Sequence, residues 1–224
     1  MPTVLIIAAH PDDEVLGCGG AMAKHAAGGD TVHTLFLADG VSARPVDGGR
    51  AAIDGRKEAA ARAAQTLGVE PPRFLDLPDN RLDTMALLDV VRPVEDMVAA
   101  LLPAIIYTHH SGDLNIDHRI AHQATMTACR PLPSSPVVAI YAFEVASSTE
   151  WASPNTGAPF RPTRFIDIDR ELECKLNALA CYEGEMQPFP HSRSAQALEA
   201  LARWRGASAG VAAAEAFEVL RQIA

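Results

Sequence analysis

The sequence predicts an α/β three-layer sandwich, Rossmann-like, with a mostly parallel sheet and helices on both of its faces. Three observations point there. Short apolar runs with strand character alternate along the 224 residues with helical stretches, and repeated β-α alternation builds parallel sheets through crossover connections. Apolar residues make up 48% of the chain, enough for a substantial core. Aromatics are only 5% while alanine is abundant, which suits helices packed closely on a sheet. With no internal repeat and no linker-like stretch, one domain spanning 1–224 is expected.

The elements follow in order. Val4–Ala9 is a first buried strand, and Glu14–Ala27 a helix closed by Gly28-Gly29. Thr31–Ala38 is a second strand ending at Asp39-Gly40, and the polar, Gly-containing segment from Val41 to Gly55 is expected to be a loop. Arg56–Leu67 is helical and Phe74–Leu77 a short strand. Thr84–Leu102 places Leu88, Val91, Val94, Val98 and Leu101 at helical spacing, with Pro93 predicting a kink or break. Ala104–Thr108 is the next buried strand and Asp117–Cys129 a helix stopping before Pro131. Val137–Val145 and Arg164–Ile168 read as strands. Helices are expected near Glu171–Glu183 and Ala195–Arg203, with a third over Ala212–Ile223.

Composition excludes several functions. The net charge of −9 and pI near 5.3 argue against a nucleic-acid partner, which would demand a basic patch. The four cysteines (Cys18, Cys129, Cys174, Cys181) form no CxxC pair, so neither a Cys₄ zinc site nor a disulfide framework is expected. No basic n-region precedes the first apolar run, which stops at His10, and no stretch approaches the roughly 20 apolar residues that span a bilayer. A cytoplasmic protein without a membrane span is expected, and the Ala-rich C-terminal third leaves room for a homo-oligomer.

The chemistry concentrates where strands end. Ala9-His-Pro-Asp-Asp-Glu14 follows the first strand, the place where open α/β sheets bind ligands. A catalytic zinc site takes three ligands from His, Asp or Glu and keeps one position open. His10 and Asp13 can supply two from one turn. On its own that turn could instead be a cap whose carboxylates satisfy helix amides. A second strand end supplies the complement, Tyr107-Thr-His-His-Ser-Gly-Asp-Leu-Asn-Ile-Asp-His-Arg-Ile-Ala-His122. There His118 and His122 share a helix face, and Asp117 sits in the first turn.

At these residues the chain resembles the LmbE-like, or PIG-L, family of metal-dependent N-acetylglucosaminyl deacetylases. The likeness rests on the 9–14 motif, on Asp117-His118 with His122 following, and on a tail of Tyr182-Glu-Gly-Glu-Met186, Arg205-Gly206 and Ala214-Glu-Ala-Phe217. The resemblance implies that His10, Asp13 and His118 hold Zn²⁺, with Fe²⁺ or another divalent ion suiting the same donors. It implies that Asp12 is the general base, taking a proton from water whose pKa the metal has lowered to about 7. The activity implied is removal of an N-acetyl group from a small-molecule amino sugar or its conjugate. A noncatalytic sugar- or nucleotide-binding domain and a metal amidase for non-sugar amides are the competing readings.

One position departs from the family pattern. Many members read His-x-Asp-His, whose first His helps to stabilise the tetrahedral intermediate; here that position is Asn115, which can donate a hydrogen bond but carries no charge. Either Asn115 serves or another imidazole does, from His109, His110 and His191. His110 is favoured because it ends the strand leading to the metal loop. Arg56 could hold an anionic group of the substrate, Asp39 could contact a substrate hydroxyl, and Trp151 could rim a pocket although packing is its ordinary role.

Overall fold

A computed structural model describes residues 1–43, 49–133, 135–154 and 157–223. Its central strand β1 (Thr3–Ala8) is buried from Val4 onward and sends alternate side chains to two cores. Val4, Ile6 and Ala8 meet Leu16, Met22, Ala60 and Leu179 on one face. Leu5, Ile7 and Ala9 meet Val91, Val94, Val98 and Ala121 on the other. The first core is covered by α1 (Asp13–Ala27), α2 (Gly49–Leu67), α5 (Leu172–Ala180) and, through Leu198, α6 (Ala195–Ala209); the second by α3 (Leu87–Leu101) and α4 (Ile116–Ala128). The three-layer expectation is met.

The other strands are β2 (Thr31–Ala38), β3 (Arg73–Leu77), β4 (Ile105–His109), β5 (Ala139–Phe143), β6 (Arg164–Asp167) and β7 (Ala214–Gln222). They form one sheet of order β3-β2-β1-β4-β5-β7-β6. Its first five strands pair in parallel, whereas β7 runs antiparallel to both neighbours. The chain winds outward one way from β1 to β3 and the other way from β4, so the order reverses between β1 and β4. Such a reversal opens a crevice at the carboxyl ends of the strands. Both sequence motifs lie there.

α1 is built to carry the first motif. It breaks at Cys18 (φ −147°, ψ 22°), and the break is stapled by buried charge. The Glu215 carboxylate accepts from the Gly20 and Ala21 amides at 2.9 and 2.7 Å, capping the second half of the helix. Lys175 Nζ donates to Leu16 O at 2.9 Å and to Glu215 at 2.6 Å, satisfying the end of the first half. Glycines let α1 lie this close to its surroundings: a Cβ at Gly17 would stand 2.2 Å from the Phe143 ring, and one at Gly20 2.7 Å from Ile168.

Three expectations are corrected. Ala212–Ile223 is not a helix but contains β7: its alanines favour a helix, yet the segment fills the gap between β5 and β6, and pairing on both edges overrides propensity. The expected loop from Val41 to Gly55 gives way at Gly49 to α2, which carries Gly55 on its exposed side; part of that expectation falls on 44–48, outside the described residues. Pro93 does not break α3. The helix keeps Val90, Val91, Val94, Met97 and Val98 buried in a continuous stripe, and that burial outweighs the roughly 3 kcal/mol cost of an interior proline.

Candidate active site

The turn after β1 points three neighbouring carboxylates in different directions. Asp12 has φ 119° and ψ −29°, a conformation costing a non-glycine residue on the order of 1–3 kcal/mol. Its neighbours hold it there: Asp12 N donates to Glu14 Oε2 at 2.9 Å, and His10 N to Asp13 Oδ2 at 2.9 Å. Glu14 is itself anchored by the Tyr182 hydroxyl, which donates to Oε1 at 2.5 Å. Burial pushes Glu14 up to about 8, so it is a neutral strut at neutral pH rather than a charge.

Around Asp13 Oδ2 two imidazoles converge, His10 through Nδ1 at 3.3 Å and His118 through Nε2 at 3.2 Å. Ligand atoms of His10, Asp13 and His118 all lie within 4.8 Å of one another, and all three residues are buried. Each imidazole has its other nitrogen against a carboxylate. His10 Nε2 lies 3.1 Å from Asp117 and 3.2 Å from Asp79, and His118 Nδ1 lies 3.1 Å from Asp113. This is the arrangement that ligating histidines adopt, one nitrogen for the ion and the other donating to a carboxylate. The donor set therefore fits a divalent cation.

The electrostatics agree. Burial alone would lower His118, yet Asp13 and Asp113 hold it up, to about 9. His10 is likewise raised against burial by Asp117, Asp13 and Asp79. Crowded carboxylates draw positive charge into this space, which a divalent cation would supply in place of protons.

Asp12 faces a different side. Arg193 Nη1 donates to its Oδ2 at 2.7 Å, Arg56 Nη1 lies 3.6 Å from the same oxygen, and Glu185 pairs with both guanidiniums. Burial raises Asp12 to about 6 although the arginines oppose it. A cavity of ≈ 100 Å³ joins these groups, lined by His10, Asp12, Arg56, Asn115, His118 and Arg193 among others.

The sequence-predicted residues sort as follows. His10, Asp12, Asp13 and His118 come together, with Arg56 beside them. Asp117 is fully buried behind His10, where its oxygens also accept from the Asn80 and Leu82 amides at 2.7 and 3.0 Å; it supports the His10 ring rather than facing the cavity. Asn115 caps α4, accepting from Asp117 N at 2.8 Å, and its amide nitrogen reaches Asn80. Asp39 is spent on its own turn, accepting from the Val41 and Ser42 amides.

His110 does not reach the cavity. Its Nδ1 is 2.7 Å from Glu218 and its Nε2 2.8 Å from Ala158 O, which turns the ring toward β7 and away from the site. The alternation of β4 explains this, since His109 and His110 cannot face the same way. His109 instead accepts from Ala9 N at 2.8 Å and stacks on the His118 ring at 4.0 Å, steadying both motifs from beneath. His191 accepts from Arg193 N at 3.0 Å and touches Trp151. None of these imidazoles lines the cavity among the described residues; the cationic side chains that do are Arg56 and Arg193.

Sequence reasoning missed Asp113, Asp79, Glu185 and Arg193. Asp113 had a signal: a ligating histidine needs a carboxylate for its second nitrogen, and Asp113 stands in the quoted loop. Arg193, 181 residues from Asp12, had none.

Comparison with known proteins accords with this geometry. The chain is 31% identical to the uncharacterized deacetylase YaiS of Escherichia coli K12, covering 79% of this chain and 88% of that protein. It is 28% identical to the 4-oxalmesaconate hydratase of Pseudomonas putida KT2440, over 82% of this chain and 74% of the relative. Its fold is shared with the N,N′-diacetylchitobiose deacetylase of Pyrococcus horikoshii, at a TM-score of 0.80 and 20% identity, covering 98% of this chain and 84% of that one. Residues 5–129 match the PIG-L family, described as GlcNAc-PI de-N-acetylase, and the chain belongs to that family.

Proposed function

We propose that this protein is a metal-dependent hydrolase that removes an N-acetyl group from an amino sugar or its conjugate. The observation that carries the reading is that the Asp12 carboxylate shares one cavity with His10 and His118, whose ring nitrogens close on Asp13 as a buried donor group. A divalent cation on those donors, Zn²⁺ or Fe²⁺ by their chemistry, would supply Lewis acidity to water and to the acyl group. Everything else falls to the chain. Both guanidiniums approach Asp12 at Oδ2, so Oδ1 is the oxygen presented to a water. With a pKa of about 6, Asp12 is ionised enough at neutral pH to take the water's proton and, once protonated, acidic enough to pass it to the departing nitrogen. Arg193 brings to the cavity the positive charge that Asn115 cannot, and it is our candidate for the group that steadies charge developing on the acyl oxygen. Tyr182, through Glu14, and His109, through Ala9 and His118, keep the turn in register.

The test is an acetate-release screen of metal-loaded protein against N-acetylated sugars and their nucleotide and lipid conjugates. Release that stops on exhaustive chelation and returns with Zn²⁺ or Fe²⁺ supports the reading, and release that survives chelation removes it. A second reading, addition of water across a carbon–carbon double bond of a polycarboxylate, is favoured by the hydratase relative together with the two cavity arginines. Loss of the ultraviolet absorbance of a conjugated polycarboxylate, without acetate release from any sugar, would select it.

A further inference from the structure

The site cavity is small and opens to solvent. At ≈ 100 Å³ it falls well below the ~300–1,000 Å³ of ordinary ligand sites. If the reading above holds, the body of the substrate extends beyond it, over the rim.

The loops that line the cavity carry exposed apolar side chains that the core does not use. Trp151 is 52% exposed, Phe189 59% and Leu114 49%. Each belongs to a loop that also supplies the cavity: Leu114 precedes Asn115, Trp151 follows Ser147 and Ser148, and Phe189 precedes Arg193. Trp151 is the best held of them. Its amide donates to Ser148 O at 3.3 Å, and its turn is pinned to Asp113 by the Ser148 hydroxyl and by Thr149 Oγ1 at 2.6 Å. Asp113 is the carboxylate against His118. On its other side the indole meets His191 edge-on, with ring centroids 5.5 Å apart and planes at 79°. His191 is tied to the Arg193 amide, and Arg193 to both Asp12 and Ser147. The Trp151 turn is thus tied by hydrogen bonds to the carboxylate behind His118, and the indole itself rests on His191, whose loop carries Arg193 to Asp12.

From this we infer that Trp151 is a stacking platform for a second sugar ring, one beyond the ring that carries the scissile amide. The apolar C–H face of a pyranose fits a flat indole, and Trp151 carries the larger of the two exposed aromatic rings on these loops. The preferred substrate is then at least a disaccharide or an equally extended saccharide conjugate. The alternative path for the substrate body is the ≈ 280 Å³ groove on the far side of the Arg56–Glu185 pair, which is lined by Arg62, Cys181 and Tyr182.

Two measurements test the platform. In the first, metal-loaded parent, Trp151→Ala, Trp151→Phe and Arg62→Ala proteins release acetate from N,N′-diacetylchitobiose and from N-acetylglucosamine. Trp151→Ala should lower kcat/KM for the disaccharide about 10-fold and for the monosaccharide less than about twofold, with Trp151→Phe restoring most of the loss. Equal effects on both sugars, or a disaccharide effect at Arg62 and none at Trp151, would overturn the proposal. The second measurement needs no turnover. In Trp204→Phe protein, where Trp151 is the sole tryptophan, the disaccharide should change the emission saturably; an emission unmoved at every concentration would also overturn it. If no sugar is deacetylated while that emission still responds, the platform stands and the hydrolase reading is what fails.

Discussion

Two clusters of buried charge flank the first half of α1, and they follow opposite plans. At the kink, Lys175 and Glu215 form one cation with one anion, and backbone groups of α1 take up their remaining hydrogen-bonding capacity. That cluster is closed, and its work is to join two half-helices to β7. At the helix start, Asp12, Asp13, Asp79, Asp113 and Asp117 crowd around imidazoles and two arginines. That cluster is open, because anionic oxygens outnumber cationic partners and imidazoles are dragged upward in pKa to compensate. A fold keeps a closed cluster for stability. An open one, with its pKa values pulled from the ordinary range, is the kind found where a ligand completes the charge.

Substitutions should separate the two plans cleanly. The largest effect belongs to the open cluster: Asp12→Asn should lower turnover about 10²- to 10⁴-fold while metal content and Tm stay close to those of the parent. Loss of metal in that variant, measured by elemental analysis, would mean that Asp12 and Asp13 have been given each other's roles. The closed cluster should behave in reverse. Lys175→Met strands Glu215 as a lone buried charge and should cost about 3–5 kcal/mol, near 10 °C in Tm, with turnover per folded molecule unchanged. Adding Glu215→Gln should recover part of that loss in urea denaturation, and a further loss instead would deny the pairing.

Metal removal probes the open cluster alone. Metal at a hundredfold excess over its Kd adds about 2.7 kcal/mol of stability, so chelation should lower Tm in the parent and leave His118→Ala unmoved. Because His10 and His118 sit above their ordinary pKa without a cation, binding must expel their protons. Apparent metal affinity should therefore rise as pH rises through the range up to about 9. Affinity that is flat with pH in isothermal titration would show that these imidazoles are not ligands.

The contrast also explains what could be read from the sequence. The parallel half of the sheet was legible because β1, β2 and β4 are short, apolar-rich runs with crossovers between them, and the His10, Asp13 and His118 grouping because these residues cluster at two strand ends. β7 was not legible: an Ala-rich segment becomes a strand only because β5 and β6 leave a slot with two edges to pair, a fact of tertiary structure. The roles inside the site divide in the same way. His10 and Asp13 share one turn, while the partners of Asp12 come from α2 and from a loop after α5, so no local spacing announces them. His110 shows the opposite trap. Neighbouring the right strand end in sequence placed it among the candidates, and the alternation of β4 turned it away.

That same His110 offers the smallest and most specific test, because it belongs to a third, half-closed cluster. Its Nδ1 faces a carboxylate and its Nε2 a carbonyl, both acceptors, so the ring is an imidazolium that donates to Glu218 and to Ala158 O. Burial lowers His110, but Glu218 and the Ala158 carbonyl raise it further than burial lowers it; burial raises Glu218, but His110 and the Arg161 amide lower it. A raised histidine stabilises the fold fully below its unfolded value near 6.5 and loses that contribution as pH climbs through the folded value. A lowered glutamate does so above about 4.5 and loses it as pH falls through its own folded value. The pair should therefore contribute most between about pH 4.5 and 6.5, by about 1–3 kcal/mol for a hydrogen bond between charged groups. Glu218→Gln should depress Tm most near pH 5.5 and progressively less toward pH 9. A gap that widens with pH would show His110 neutral in the fold, and would move this cluster from the closed plan to the open one.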